Sequence, residues 1–178
     1  LLFNRLKPLY CIIDAFFCVH AKIDNQNIII EYRPSMPQIS RSVLVRFSAM
    51  QMYELVNDVE SYKEFLPGCV GGKVIEFDGQ TMVASVDVAK AGISKTFTTR
   101  NQVVPGKSIQ LQLENGPFKE LFGEWKFTEL TDDACKVEFE LSFEFSSSIA
   151  DLAFGKVFKE LMASMVTAFT NRAKVIYK

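Results

Sequence analysis

Six apolar residues, Cys135, Val137, Phe139, Leu141, Phe143 and Phe145, alternate without a break with Lys136, Glu138, Glu140, Ser142 and Glu144. Side chains in a strand point to opposite faces in turn, so this run predicts a strand with one buried and one wet face. Directly behind it, from about Ile149 to Tyr177, Leu152, Phe154, Phe158, Leu161, Met162, Met165, Val166 and Phe169 recur at helical spacing. A one-faced strand followed by a one-striped helix has a simple way to hide both surfaces, which is to lay the helix across the sheet.

The preceding residues supply the rest of that sheet. Ile39, Val43, Val45 and Phe47 share one parity and give a first strand, with Arg41 as the polar exception on the inward parity. Ser48 is an N-cap candidate, and Met52, Leu55, Val56 and Val59 predict a short helix over about Ala49 to Val59. A second helical turn around Tyr62 to Leu66 ends at Pro67 and Gly68. Val74 to Phe77 and Thr81 to Lys90 flank Asp78 and Gly79, a tight-turn dipeptide. Further strands are expected near Lys95 to Val104, around Ile109 to Leu113 and over Leu121 to Leu130, separated by Pro105–Gly106 and Gly116–Pro117. The class is therefore α+β. Its architecture is a helix-grip: a curved antiparallel sheet wrapped around a long C-terminal helix, with two short helices after the first strand. A curved sheet and a straight helix cannot touch along their whole length, so a cavity between them is expected.

The 178 residues suit one packed domain plus an extension. Residues 36–178 carry the pattern above, while residues 1–35 differ in character and are read as an extension outside the fold, produced by a start assigned too far upstream. Arg5 and Lys7 precede an apolar run from Leu9 to Val19 that resembles a secretory leader. Asp14 interrupts it, and the run is too short to span a bilayer, which takes roughly 20 apolar residues. The four cysteines show neither a CxxC pair nor zinc spacing, so reduced thiols in a cytoplasmic protein are expected.

Enzyme chemistry finds little purchase. The chain's one histidine is His20, so residues 36–178 hold no side chain whose ordinary pKa lies near neutrality. Gly68, Gly71, Gly72 and Lys73 fail as a phosphate loop, because Pro67 and Val74 occupy positions that need Gly and Ser or Thr. There is no GxSxG and no metal-ligand cluster. The expected protein is a binder that needs no cofactor and inserts in no membrane; its oligomeric state is open.

Two binding surfaces are candidates. Phe97, Leu111, Trp125, Phe127, Phe139, Leu141, Phe158, Met162, Met165 and Phe169 are placed to line a long apolar cavity, where Arg41 would meet a polar head group or a carboxylate. The stretch Val88 to Leu113 contains Lys90, Lys95, Arg100 and Lys107 and no acidic residue, in a segment with 16 Lys and Arg against 18 Asp and Glu. That is an electrostatic footprint for RNA, to which Thr96, Thr98, Thr99 and Asn101 would add hydrogen bonds. A solvated hairpin with charge-protected edges is the plainer alternative.

The run Tyr62, Lys63, Glu64, Phe65, Leu66, Pro67, Gly68, Cys69 resembles the START-like coenzyme Q-binding/polyketide cyclase-like family. Gly116, Pro117, Phe118, Lys119, Leu121, Gly123, Trp125 and Phe127 resemble its bacterial branch, the ribosome association toxins. Phe154, Gly155, Val157, Phe158, Met165, Val166, Ala168, Phe169, Arg172, Ala173 and Tyr177 fit as well. The resemblance covers Met36 to Lys178 and implies a helix-grip fold with one of two activities. The toxin branch associates with the large ribosomal subunit and blocks its joining to the small one. The other branch binds ubiquinone or a related isoprenoid lipid. Gly68 stands where quinone-binding relatives usually carry Trp, which favours the toxin branch.

Overall fold

The computed structural model describes residues 17–24, 27–34, 36–90, 92–146 and 149–178, with side chains from residue 36 onward except those of 149–153. The leader-like pattern from Arg5 to Phe16 and the side chain of Leu152 lie outside the described residues. The chain divides into two units, Leu1–Met36 and Pro37–Lys178. In the first, β1 (Phe17–Asp24) pairs antiparallel with β2 (Asn27–Pro34). The sequence reading had not anticipated this hairpin.

The second unit runs β3 (Gln38–Val45), α1 (Ala49–Asn57), a 3-10 turn (Val59–Ser61), α2 (Tyr62–Phe65), β4 (Cys69–Phe77), β5 (Thr81–Lys90), β6 (Ile93–Val104), β7 (Ser108–Asn115), β8 (Phe118–Thr131), β9 (Ala134–Phe145) and α3 (Ile149–Ile176). All seven strands form one sheet in the order β3-β9-β8-β7-β6-β5-β4. It is the curved antiparallel sheet, with short helices and a long C-terminal helix, that the residue pattern implies.

Local chemistry sets the boundaries. Ser48 caps α1 through a reciprocal box: its hydroxyl accepts from Gln51 N at 3.1 Å, and its own N–H donates to Gln51 Oε1 at 2.9 Å. At the β4–β5 turn the Asp78 carboxylate accepts from the backbone N–H groups of Thr81 and Gln80, at 2.7 and 2.8 Å. These bonds hold its pKa below the ordinary carboxylate value. Gly79 follows with φ of +95°, a conformation that glycine adopts without strain. Register shifts between Cys69 and Gly71, Val74 and Glu76, Thr98 and Thr99, and Phe118 and Glu120 mark irregularities where twist and bending increase.

The alternation reported for β9 separates two faces. Cys135, Val137, Phe139, Leu141 and Phe143 are buried towards the helices, while Lys136, Glu138, Glu140 and Glu144 lie on the outer face. There Lys136 bonds Glu138 at 2.6 Å and Lys119 bonds Glu144 at 3.0 Å. On the inner face α3 is held by aromatic contacts: Phe158 meets Phe97 and Phe118 at centroid distances of 5.8 and 4.7 Å, and Phe169 meets Trp125 at 5.3 Å.

Candidate functional site

Between α3, the loop region of α1 and α2, and the inner faces of β5 to β9 lies a cavity of about 60 Å³. Eight of the eleven residues expected to form it do so: Phe97, Leu111, Trp125, Phe139, Leu141, Phe158, Met162 and Met165. Trp125 stacks on Phe139 with centroids 4.4 Å apart and forms the floor. Tyr62 closes the side towards α2; its hydroxyl donates to the Val56 carbonyl, and burial pushes its pKa far up, so it stays protonated.

Three expected members are elsewhere. Arg41 is exposed on the edge strand β3 and donates to the Ser40 carbonyl at 2.8 Å. Parity alone gave it an inward direction, but at the sheet edge that direction meets solvent. Phe127 is buried outside the cavity, edge-on to Tyr53 of α1 with centroids 6.1 Å apart. Phe169 is fully buried beyond the wall, packed on Tyr62 and Phe65 at 5.2 and 5.1 Å.

The basic stretch does not form one patch. Lys90 ends β5 on the inner parity and pairs with Glu160 of α3 at 2.6 Å. Lys95 is partly buried and shares parity with the inward Phe97. Arg100 has the opposite parity and pairs with Glu114 at 3.1 Å on the outer face. Lys107 occupies the β6–β7 turn; among the described residues it makes no ion pair, and it shares a surface depression with Met50 and Lys126. Of the threonines and asparagine expected to meet RNA, Thr96 bonds Asp87 at 2.5 Å, and Thr99 and Asn101 are each 5 % exposed. The last two face inward into the cavity.

That inward polar set was missed. Thr99 and Asn101 line the cavity together with Asn57 from the end of α1, and the Oδ1 atoms of both asparagines are buried without a hydrogen-bond partner. The signal was present in the parity of β6, since Thr99 and Asn101 alternate in step with Phe97 and Val103. Among the described residues no carboxylate, lysine, arginine or histidine lines the cavity. Among the described residues no three His, Cys, Asp or Glu gather in a way that could hold a metal ion. Cys69 and Cys135 are both buried free thiols, and burial raises the pKa of each.

A family model described as polyketide cyclase/dehydrase and lipid transport matches residues 45–170, the span that contains every wall of the cavity. The chain belongs to this family. The ribosome association toxin RatA of Escherichia coli strain K12 is 61 % identical over 142 residues, covering 80 % of this chain and 90 % of that protein. This places the chain on the toxin branch. The mitochondrial coenzyme Q-binding protein COQ10 homolog B of Xenopus laevis is 30 % identical over 144 residues, covering 79 % of this chain and 59 % of that one. Among solved structures, the Zhui aromatase/cyclase of Streptomyces sp. R1128 superposes with a TM-score of 0.70 at 19 % identity, covering 80 % and 96 % of the two chains. At that identity the likeness concerns the fold. No helix among the described residues is long and apolar enough to cross a membrane.

Proposed function

We propose that this protein associates with the large ribosomal subunit in the cytoplasm and hinders its joining to the small one, acting as a binder without turnover. The observation that carries the reading is the 61 % identity to a ribosome association toxin along nearly that protein's whole length. A cavity wall without carboxylate, lysine, arginine or histidine among the described residues, and with its one tyrosine held protonated, supports binding over catalysis. With Lys90 and Arg100 engaged in ion pairs, the cations best placed to meet phosphate are Lys107 and Lys126 at the β6–β7 end. Ser108 and Lys126 are register partners, which brings the two lysines to one rim.

The test is sedimentation of the full chain with separated ribosomal subunits at low and physiological salt. Co-migration with the large subunit, fewer joined ribosomes, and weaker binding as salt rises are expected. Lys107→Glu combined with Lys126→Glu is expected to abolish co-migration while the protein stays folded. Protein left at the top of the gradient at both salt concentrations overturns the reading.

A second reading, transport of ubiquinone or another isoprenoid, is favoured by the coenzyme Q-binding relative and the apolar wall. Ligand pockets typically measure roughly 300 to 1,000 Å³, so the cavity would have to widen severalfold to admit such a molecule. A quinone in an organic extract of the purified protein would establish it, and a lipid-free extract from quinone-replete cells would remove it.

A further inference from the structure

Glu124 of β8 and Glu140 of β9 are register partners on the outer face of the sheet. Like charges directly opposite each other on two strands repel, so a sheet that keeps them gives up stability at that point. A second like pair on these strands, Glu120 opposite Glu144, is relieved by Lys119, which bonds Glu144 at 3.0 Å. Glu124 and Glu140 have no such help. Among the described residues neither makes an ion pair, and Glu124 only accepts from the Gln110 amide at 3.3 Å. Arg100 is taken by Glu114, and Lys126 stands one row along, opposite Glu138.

The two carboxylates border a depression of about 560 Å³ on the outer face. It follows two parallel rows of register partners across neighbouring strands: Ser142, Phe122 and Gln112 in one, Glu140, Glu124 and Gln110 in the other. Gln38 on β3 and Gln102 on β6 mark its ends. Five strands spaced by about 4.8 Å span about 19 Å, the length of about six residues of extended chain. Phe122 is 51 % exposed although β8 lies in the middle of the sheet. Ser142, its partner, is only 8 % exposed, lines the depression, and makes no hydrogen bond through its hydroxyl among the described residues.

A bare aromatic ring, an unmet hydroxyl and two uncompensated carboxylates thus stand side by side on one β8–β9 block. A guanidinium suits all four: its flat face stacks on the ring, and its fork of N–H donors reaches both carboxylates and the hydroxyl oxygen. An ammonium is a point charge with neither face nor fork. A base of single-stranded RNA would also stack on Phe122, but its phosphates would meet the two carboxylates. We propose that this strip docks an extended, arginine-bearing segment of a second protein, with one guanidinium seated on Phe122 between Glu124 and Glu140. The amides of Gln38, Gln102, Gln110 and Gln112 each hold both donors and an acceptor, so they can meet the backbone of such a segment whatever its other side chains. The site stands independently of the ribosome reading, since neither Lys107 nor Lys126 takes part in it.

The full chain, labelled with nitrogen-15, is titrated at low salt with a capped hexapeptide of alternating arginine and threonine. A parallel titration uses its citrulline counterpart, in which a neutral urea of similar shape replaces each guanidinium. The backbone amide signals of Phe122, Glu124, Glu140 and Ser142 are expected to move saturably with the arginine peptide, half-saturating near ~1 mM, with the citrulline peptide at least roughly tenfold weaker. Glu140→Gln is expected to weaken the arginine peptide at least about fivefold and to raise the melting temperature of the free protein, because it relieves the like pair. Phe122→Leu is expected to weaken it about threefold through loss of the stacked face. Equal binding of the two peptides overturns the proposal, as do shifts centred elsewhere on the protein or no shift at up to ~5 mM. Tighter binding of hexauridylate at the same signals would assign the strip to RNA and overturn it as well.

Discussion

Lys90 Nζ lies 2.6 Å from Glu160 Oε2, tying the last residue of β5 to the middle of α3. Both side chains are about half exposed, so the pair is screened and holds little. The hydrogen bond from Lys90 is the leading reason that the Glu160 carboxyl titrates below its ordinary value. A depressed carboxylate adds stability above its unfolded pKa and loses it as pH falls through the folded one. Lys90→Met is therefore expected to move the thermal midpoint at pH 7 by less than about 3 °C, and by still less in acid or high salt. A larger loss, unaffected by salt, would mean that the pair is structural.

Gly72 offers a harder constraint. A Cβ at this position would sit 2.1 Å from the Val59 carbonyl oxygen, a backbone atom in the 3-10 turn that cannot rotate away. Gly72→Ala must push β4 from that turn, at a cost of about 1 to 3 kcal/mol. The urea midpoint should fall with an unchanged slope. An unaltered midpoint would show that the edge strand yields freely.

Cys135 is fully buried, and desolvation pushes its thiol from 9.0 up to about 11. Its folded pKa thus lies above its unfolded one. The stability it contributes is complete below about pH 9 and is lost as pH rises towards 11, because the unfolded chain ionises first. Up to about 2 to 3 kcal/mol should vanish across that window. Chemical denaturation at pH 8 and pH 10.5 measures it, and Cys135→Ala should flatten the slope; an identical slope in that variant would assign the loss to other groups. Below pH 9 the native thiol should resist alkylation.

The period of two in β9 could be seen in the sequence because every second residue there changes between Phe, Val or Leu and a charge. Its order carried through to the helix-grip arrangement and to most of the cavity wall. The polar interior was hidden for a related reason: Thr99 and Asn101 look like surface residues by type, and only the parity they share with Phe97 reveals where they face. Arg41 shows the reverse. Parity gives its side of the sheet, but nothing local tells that β3 is an edge strand. The basic stretch dissolved because Glu160 and Glu114, the partners of Lys90 and Arg100, lie 70 and 14 residues away along the chain. Distances in sequence of that kind are set by the fold.

The first strand of the sheet pairs with the last: Val45 meets Cys135, and Gln38 meets Ser142. A ribosome extending the chain at roughly 5 to 20 residues per second leaves β3 without its neighbour for about 5 to 18 s. In that interval the β4–β7 meander can form, while the Trp125–Phe139 floor and its helical cover cannot. The cavity is therefore the last part of this unit to be closed, because both its floor and its cover wait for segments that the meander does not contain.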